Sequence, residues 1–409
     1  MKAGKILPVD TGGKIRSFNL LRQLASRHET TLLSYYSGAH DPGYEASLTA
    51  VLPGAVTIGN VGPASPLATV ADFILHLPSP IPFAVAKFTS SEVRRFIADA
   101  MAERRFDVMV CDFLSASRNF PGRLTTPTAL FQHNVEAALW ARQAAHEANP
   151  LRRAAFSLEA RKMRRYERIA VRRFHHVIAV SKHDRALMAE MTDSGRITVA
   201  PTGVDLAEYR TSGPRTAGDP IVTFLGSMDW EANIDGIEHF HRESWPRIRA
   251  AVPNARLRIV GRRPTPRVRR LAQDPSVDVT GDVPSVVPYL REAAVVIVPL
   301  RVGGGTRLKI YEAMACGCAV VSTAVGAEGL DVNNDRDILL AEDPDSFADA
   351  VSLLLVDPER RCRMQVAAAA HAANFDWPNV VERFEESLEQ TIVAAMHDPA
   401  TAGQGAGVQ

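Results

Sequence analysis

The sequence predicts an α/β protein built from two Rossmann-like, doubly wound parallel-sheet domains facing across a cleft. Three observations predict it. Short apolar runs are continuous rather than alternating, helical patterns separate them from end to end, and a polar Gly/Pro stretch divides them into two sets. A strand buried on both faces has no polar alternate positions, so continuous runs point to parallel strands covered by helices. Strand and helix in alternation imply right-handed βαβ units.

In order along the chain, the first set of strand-like runs is TTLLSYY from Thr30, FDVMVCDF from Phe106, PTALFQHN from Pro127, HHVIAVS from His175 and ITVAPTGV from Ile197. The second set is PIVTFLGS from Pro220, RLRIVGR from Arg256, AAVVIVPL from Ala293, CAVVSTAVG from Cys318 and DILLAED from Asp337. Helical patterns between them include Phe18 to Arg27, Ser91 to Glu103, Ser157 to Arg173 and Asp345 to Val356. The start departs from the pattern: a glycine turn, Gly12-Gly13, follows only a weak apolar run from Ile6 to Val9. Either the first strand is very short, or the start is late and a strand is missing.

The break falls at EYRTSGPRTAGD, residues 208–219, which is polar, carries Gly and Pro and lacks periodicity. The expected organisation is a first domain over 1–207 on the acceptor side and a second over 220–379 that binds a nucleotide-sugar. A C-terminal helix at about 380–400 packs back on the first domain, and a Gly-rich tail, 401–409, is disordered. Lys plus Arg number 47 against 46 Asp plus Glu, so the total charge implies no nucleic-acid partner. The four cysteines, Cys111, Cys316, Cys318 and Cys362, form no zinc-type pairs. No apolar stretch approaches the length of a membrane span, and the start resembles no signal peptide, so a cytoplasmic location is expected.

The segment Val298 to Gly326 carries the strongest chemical signal: strand, glycine loop, helix, loop, strand. Ligands of open α/β sheets bind at the carboxyl ends of strands. Gly303, Gly304 and Gly305 let the backbone approach a ligand closely. Free N–H groups at the next helix start favour an anion such as a diphosphate. Arg307 and Lys309 add positive charge in that first turn, which an anion would compensate, and Glu312 one turn on suits a ribose diol. The competing reading is a plain glycine turn before a solvated basic helix start. His133 closes the apolar strand PTALFQ at its carboxyl edge, where an imidazole could hydrogen-bond a transferred sugar; a buried structural histidine is the alternative. Asn134 and Glu136 follow it, and Glu136 suits either an acceptor or a helix start. The Gly12-Gly13 turn, with Lys14 or Arg16 nearby, could face a diphosphate or be an ordinary turn.

These residues resemble the glycosyltransferase group 1 family, also called family 4, of GT-B fold. EAMACGCAVV, from Glu312, is similar to the family's EAMAxGxPVV, with Gly304 standing where the family has a first glutamate. TGGKIRSFNLLRQLASRHETTLL, FQHNVEAALW, AVSKHD, PTGVD and IVGRRP resemble further family segments, with Thr202 where family members usually have Asn. The family's diphosphate-binding Arg and Lys usually follow the first strand of the second domain; here that place reads GSMDWEAN, Gly226 to Asn233. GSMDW with GGGTRLK resembles bacterial sugar transferases of exopolysaccharide or cell-surface glycan assembly. The resemblance implies a retaining glycosyltransferase, of hexosyltransferase type, that moves a sugar from a nucleotide-diphosphate sugar to a sugar or lipid-linked hydroxyl acceptor, with no metal and no further cofactor. His133 is then expected to be catalytic, with Arg307 and Lys309 supplying catalytic charge in place of the family's absent Arg and Lys, and donor binding is expected of Gly13, Gly226, Ser227, Arg262, Gly304, Gly305, Thr306 and Glu312. Asn134 and Glu136 fall on the acceptor side. Backbone amides of Gly304 to Thr306 are expected to take the place of the missing glutamate. The rival readings are a GT-B nucleotide-sugar epimerase and a non-catalytic nucleotide-sugar-binding subunit. A nicotinamide dehydrogenase is disfavoured, because no GxGxxG with a downstream acidic residue appears.

The stretch Arg152 to Arg173 is basic, with Arg152, Arg153, Arg161, Lys162, Arg164, Arg165, Arg168, Arg172 and Arg173 against Glu159 and Glu167. It reads as a solvated helix face or as a surface for anionic lipid on the inner face of the cell membrane. In the second case the apolar stretch DFILHLPSPIPFAVAKF, from Asp72, supplies an acceptor-facing loop.

Overall fold

The computed structural model describes residues 1–59, 66–209, 219–302 and 308–397. The chain divides into two compact units, Met1–Pro201 with the chain from Val380, and Thr202–Asn379.

The first unit holds a seven-stranded sheet: β1 Lys2–Ala3, β2 Leu32–Tyr35, β3 Ala55–Ile58, β4 Met109–Asp112, β5 Thr128–Gln132, β6 His176–Ala179 and β7 Ile197–Val199. Its order is β3-β2-β1-β4-β5-β6-β7, and every pairing is parallel. The second unit holds six parallel strands: β8 Ile221–Leu225, β9 Arg256–Val260, β10 Val277–Gly281, β11 Val295–Val298, β12 Ala319–Ser322 and β13 Leu339–Leu340. Their order is β10-β9-β8-β11-β12-β13. Every residue of β2, β5, β6, β8, β11 and β12 is buried, which is why these strands read as continuous apolar runs.

The first strand is two residues long yet central. Lys2 lies opposite both Ser34 of β2 and Asp112 of β4. The run Ile6 to Val9 forms no strand; Ile6 instead packs with Leu32, Tyr36, Tyr44 and Leu48. Two strands without a sequence signature, β3 and β10, lie at sheet edges and are only partly buried, so they lack a continuous apolar run.

Residues 202–207, read from the sequence as the end of the first domain, group with the second unit. The Val204 N–H donates to the Phe375 carbonyl at 2.8 Å and that of Leu206 to Asp376 Oδ1 at 3.3 Å. In the helix Leu206–Tyr209, the Tyr209 carbonyl accepts from Cys316 Sγ at 3.1 Å. The expected linker beyond Tyr209, 210–218, and the tail 401–409 lie outside the described residues. The last helix runs Trp377–Met396; within the first unit its Phe384 meets Phe131 edge-on at 5.1 Å, and its Glu385 pairs with Arg27 and His28. Among the described residues, no helix is long and apolar enough to cross a membrane.

Each sheet reverses its strand order once, between β1 and β4 in the first unit and between β8 and β11 in the second. At such a reversal the helices leave to opposite faces, opening a crevice at the carboxyl ends of the two strands. The candidate residues gather at these two places.

Candidate functional site

In the first unit the reversal is filled by a buried polar network. Asp112 ends β4, His133 follows β5, and Gly13, Arg16 and Ser17 lie in the first turns of the helix Gly12–Leu24. Asp112 Oδ2 accepts from Lys2 Nζ at 3.0 Å and from Ser17 Oγ at 2.6 Å, while Oδ1 lies 2.6 Å from His133 Nε2. Arg16 Nη1 lies 2.8 Å from His133 Nδ1. A guanidinium only donates, so Nδ1 accepts, and Nε2 carries the proton that it gives to Asp112. The ring is therefore a neutral imidazole with both nitrogens engaged. Phe113 stacks on it at 3.8 Å, and His133 is 3% exposed. Burial pushes the His133 pKa down to about 3, against the pull of Asp112 and with the help of Arg16. Burial acts to raise the Asp112 carboxyl, but Lys2, His133 and Ser17 outweigh it and hold the group well below the usual range. Burial lowers Arg16 to about 10, opposed by Asp112 and Asp184.

Gly13 is required by this packing. A Cβ there would stand 2.9 Å from Phe113 Cζ and 3.7 Å from His133 Nδ1, so the helix start rides directly on the stacked pair. The N-cap, Thr11, makes no side-chain cap, so its hydroxyl satisfies none of the early N–H groups of this helix. Lys14 turns back to the Pro8 carbonyl and Asp10.

Asn134 and Glu136 are half-buried just beyond. The helix Glu136–His146 is capped from the helix Pro150–Arg173: Glu167 accepts from the N–H groups of Glu136 and Ala137 at 2.9 and 3.0 Å. Burial pushes both the Glu136 and Glu167 carboxyls up to about 7, with Lys87 opposing at Glu136. Glu136 is thus both a helix-start carboxylate and a group poised to exchange a proton near neutrality.

In the second unit, the helix Leu308–Ala315 sends Lys309 to the carboxyl end of β8. Its Nζ donates to the Leu225 carbonyl at 2.7 Å and to Asn233 Oδ1 at 2.9 Å, 4.8 Å from the Phe224 ring centre. Asn233 Nδ2 in turn donates to the Ser227 carbonyl at 2.8 Å, and Arg262 Nε donates to Ser227 Oγ at 3.0 Å. Gly226 and Met228 hydrogen-bond across to Val260 and Arg262. A side chain at Gly261 would overlap the Gly226 carbonyl, so only glycine allows the two loops to lie this close. Gly226, Ser227, Arg262 and Lys309 therefore come together. The sequence expected Lys309 to meet a ligand from its own helix start; its ammonium instead stands at the mouth of β8, where the family's basic residues were expected and GSMDWEAN has none. Glu312, half-buried one turn further on, has its carboxyl pushed up to about 7 by burial. A hydrogen bond from Tyr209 and the charge of Lys309 oppose that shift, and Glu208 adds to it.

Gly304, Gly305, Thr306 and Arg307 lie outside the described residues. Sequence reasoning missed Asp112, Lys2, Asn233 and Tyr209. Asp112 had a readable signal: it is the polar residue that closes the apolar run VMVC at a strand's carboxyl edge. Tyr209 had none, because its partner is more than one hundred positions away, at Glu312.

Two family models match the chain: "Glycosyltransferase Family 4" over residues 11–208 and "Glycosyl transferases group 1" over residues 219–357. The D-inositol 3-phosphate glycosyltransferase of Nocardia farcinica is 31% identical over 236 residues, 53% of this chain and 51% of that protein. D-inositol 3-phosphate glycosyltransferase 1 of Catenulispora acidiphila is 35% identical over 102 residues, 24% of each chain. The matches thus span from 24% to 51% of these two relatives' length. Among solved structures, sucrose-phosphate synthase from Thermosynechococcus elongatus aligns with a TM-score of 0.67 at 18% identity, over 96% of this chain and 97% of that one. The Anabaena protein HepE in complex with UDP aligns with a TM-score of 0.66 at 14% identity, over 95% and 98%. At these identities the likeness is one of fold. With both units matched by models of one group and two parallel-sheet units aligned to these neighbours, the chain belongs to the group 1 (family 4) glycosyltransferases of GT-B fold.

Proposed function

We propose that the protein transfers a sugar from a nucleotide-diphosphate sugar to a hydroxyl of a sugar or lipid-linked acceptor, with retention of anomeric configuration, in polysaccharide or glycoconjugate synthesis on the cytoplasmic side. The observation that carries this reading is Lys309 at the carboxyl end of β8, laced to Asn233 and Ser227 with Arg262 alongside. This is fixed positive charge at a sheet reversal, where anionic ligands of this architecture bind. The solved HepE complexes contain UDP and UDP-glucose, which fits a nucleotide-diphosphate donor here.

In this reading the leaving diphosphate is the group whose charge grows as the glycosidic bond breaks. Lys309 and Arg262, held by their hydrogen bonds at this loop, stabilise that charge with little reorganisation at the moment of reaction, and Arg307 with the backbone amides of Gly304, Gly305 and Thr306 adds to it. Glu312 accepts hydrogen bonds from the ribose hydroxyls. Gly226 and Ser227 line the same loop. Glu136 and Asn134 orient the acceptor, the former as a carboxyl that changes protonation near neutral pH. No metal is required in this proposal, because fixed cations supply the countercharge. The sequence placed His133 on the transferred sugar. With both ring nitrogens engaged, direct contact requires Arg16 to release Nδ1, and the network favours a positioning role in which His133 holds Arg16 and the first turn from Gly12.

The test is a product analysis with the purified chain, a panel of nucleotide-diphosphate sugars and hydroxyl acceptors. Release of nucleoside diphosphate with formation of an α-linked product from an α-linked donor supports the proposal. An epimerised nucleotide-sugar, or its hydrolysed free sugar, formed without an acceptor would identify an epimerase, and donor binding without turnover a binding subunit; either result overturns it.

A further inference from the structure

The helix Pro150–Arg173 separates its charges by face. Lys162 is buried: its Nζ donates to Glu159 Oε1 at 2.7 Å and to the His76 carbonyl at 3.2 Å, so it is not part of the cationic surface that the sequence suggested. Arg161, Arg164, Arg165 and Arg168 are exposed, and none forms an ion pair with a described residue. Their spacing of three and four places them along one stripe. Leu158 and Ile169, 38% and 58% exposed, lie beside it.

A second exposed set adjoins this stripe. The helix Pro66–His76 packs its half-buried Phe73 edge-on against Phe83 at 5.3 Å but leaves Val70, Ile74 and Leu75 58%, 57% and 77% exposed. Lys162 fastens the end of this helix, and Glu159 holds the start of the next, whose Phe83 packs on Phe73. Lys162 holds the His76 carbonyl, and Glu159 accepts from the Phe83 N–H at 2.8 Å. The end that carries Ile74 and Leu75 is thereby held at the turn that carries Arg161, Arg164 and Arg165.

We propose that the Pro66–His76 helix and the arginine stripe of Pro150–Arg173 form one docking surface for an anionic phospholipid bilayer. Exposed aliphatic side chains enter the headgroup boundary, and guanidinium groups meet lipid phosphates beside them. A nucleic acid would satisfy the arginines but offers nothing to three clustered aliphatic side chains. A solvated helix face would not need that cluster beside it. The surface brings the first unit to where a lipid-linked acceptor resides, yet it rests on no catalytic assignment.

The test is co-sedimentation of the full chain, without donor, on phosphatidylcholine vesicles and on mixed phosphatidylcholine–phosphatidylglycerol vesicles. Binding is expected only to the anionic vesicles and should fade as salt shortens the screening length. A variant with Arg161, Arg164, Arg165 and Arg168 changed to Glu should bind at least about tenfold more weakly. Ile74→Ser with Leu75→Ser should weaken binding at low salt as well, with melting temperature unchanged in both variants. Equal binding to neutral vesicles, no binding to either, or wild-type binding by the charge-reversed variant overturns the proposal. Because no substrate is present, none of these outcomes bears on the transferase reading.

Discussion

On the proposed ribose role of Glu312, donor binding should depend on pH. Burial pushes its carboxyl up to about 7, with the Tyr209 hydroxyl and Lys309 opposing. If the carboxylate is the form that accepts from ribose hydroxyls, the binding-competent fraction is roughly a tenth at pH 6 and nine tenths at pH 8, so donor affinity should rise about tenfold across that range, or ~1.4 kcal/mol. Glu312→Gln keeps an acceptor oxygen but removes the titration. Its affinity should be flat with pH and lower at pH 8 by roughly 1.5–3 kcal/mol, the range for a hydrogen bond to a charged group. The assay is calorimetric titration with an intact nucleotide-diphosphate sugar, whose diphosphate does not ionise further in this interval. The same shift has an opposite sign for stability. A folded-state carboxyl raised above its unfolded value contributes stability that is complete below the unfolded value and lost as pH rises through about 7. Without ligand, the melting temperature of the wild type should therefore fall relative to Glu312→Gln between pH 5 and 8. A wild-type affinity independent of pH, or a Gln variant that retains the slope, would refute the ribose assignment.

Other substitutions separate charge, position and fold. Lys309→Ala and Arg307→Ala should each weaken donor binding by roughly 1.5–3 kcal/mol, measured by the same titration; unchanged affinity in both, with the fold intact, removes this site from consideration. His133→Ala empties the space against Phe113 and frees Arg16, so it should lower the melting temperature by several degrees, whereas loss of a direct sugar contact alone would cost turnover with stability intact. Measuring melting temperature, donor affinity and turnover on one preparation decides between these. Asp112→Ala leaves Lys2 as a buried charge without its carboxylate, a loss of roughly 3–5 kcal/mol, read by denaturant unfolding of the first unit's transition. A loss within about 0.5 kcal/mol, typical of surface changes, would contradict that network.

The parts of the fold that were legible in the sequence are those set by burial on both faces. AVVIVPL and TALFQ can be read as β11 and β5 because every position faces packed helices. The edge strands β3 and β10 were not legible, since a half-exposed AVTI or VDVTG looks like loop. Neither was β1, whose two residues include a lysine held by Asp112 across the sheet. The same division holds for the site. Glycines, cations and carboxylates could be named from their place beside strand ends, but their partners could not. Lys309 reads as a helix-start cation and only the fold reveals that its ammonium reaches Leu225, 84 positions back. His133 reads as an edge histidine, and only the fold shows Arg16 and Asp112 on its two nitrogens. Likewise Lys162 sits within a run of arginines but turns inward to Glu159, a choice set by helix phase rather than by composition.

The central claim is that the second unit binds a nucleotide-diphosphate sugar at the mouth of β8, and a thermal-shift screen of such donors tests it most directly. A ligand that binds only the native state at a hundred times its Kd adds about 2.7 kcal/mol of apparent stability, which corresponds to a rise of several degrees. The account predicts that at least one nucleotide-diphosphate sugar raises the melting temperature of the wild type and that Lys309→Ala cuts the rise at the same donor concentration to about half or less. If no donor shifts the wild type, or if Lys309→Ala shifts as much as the wild type does, the claim is wrong.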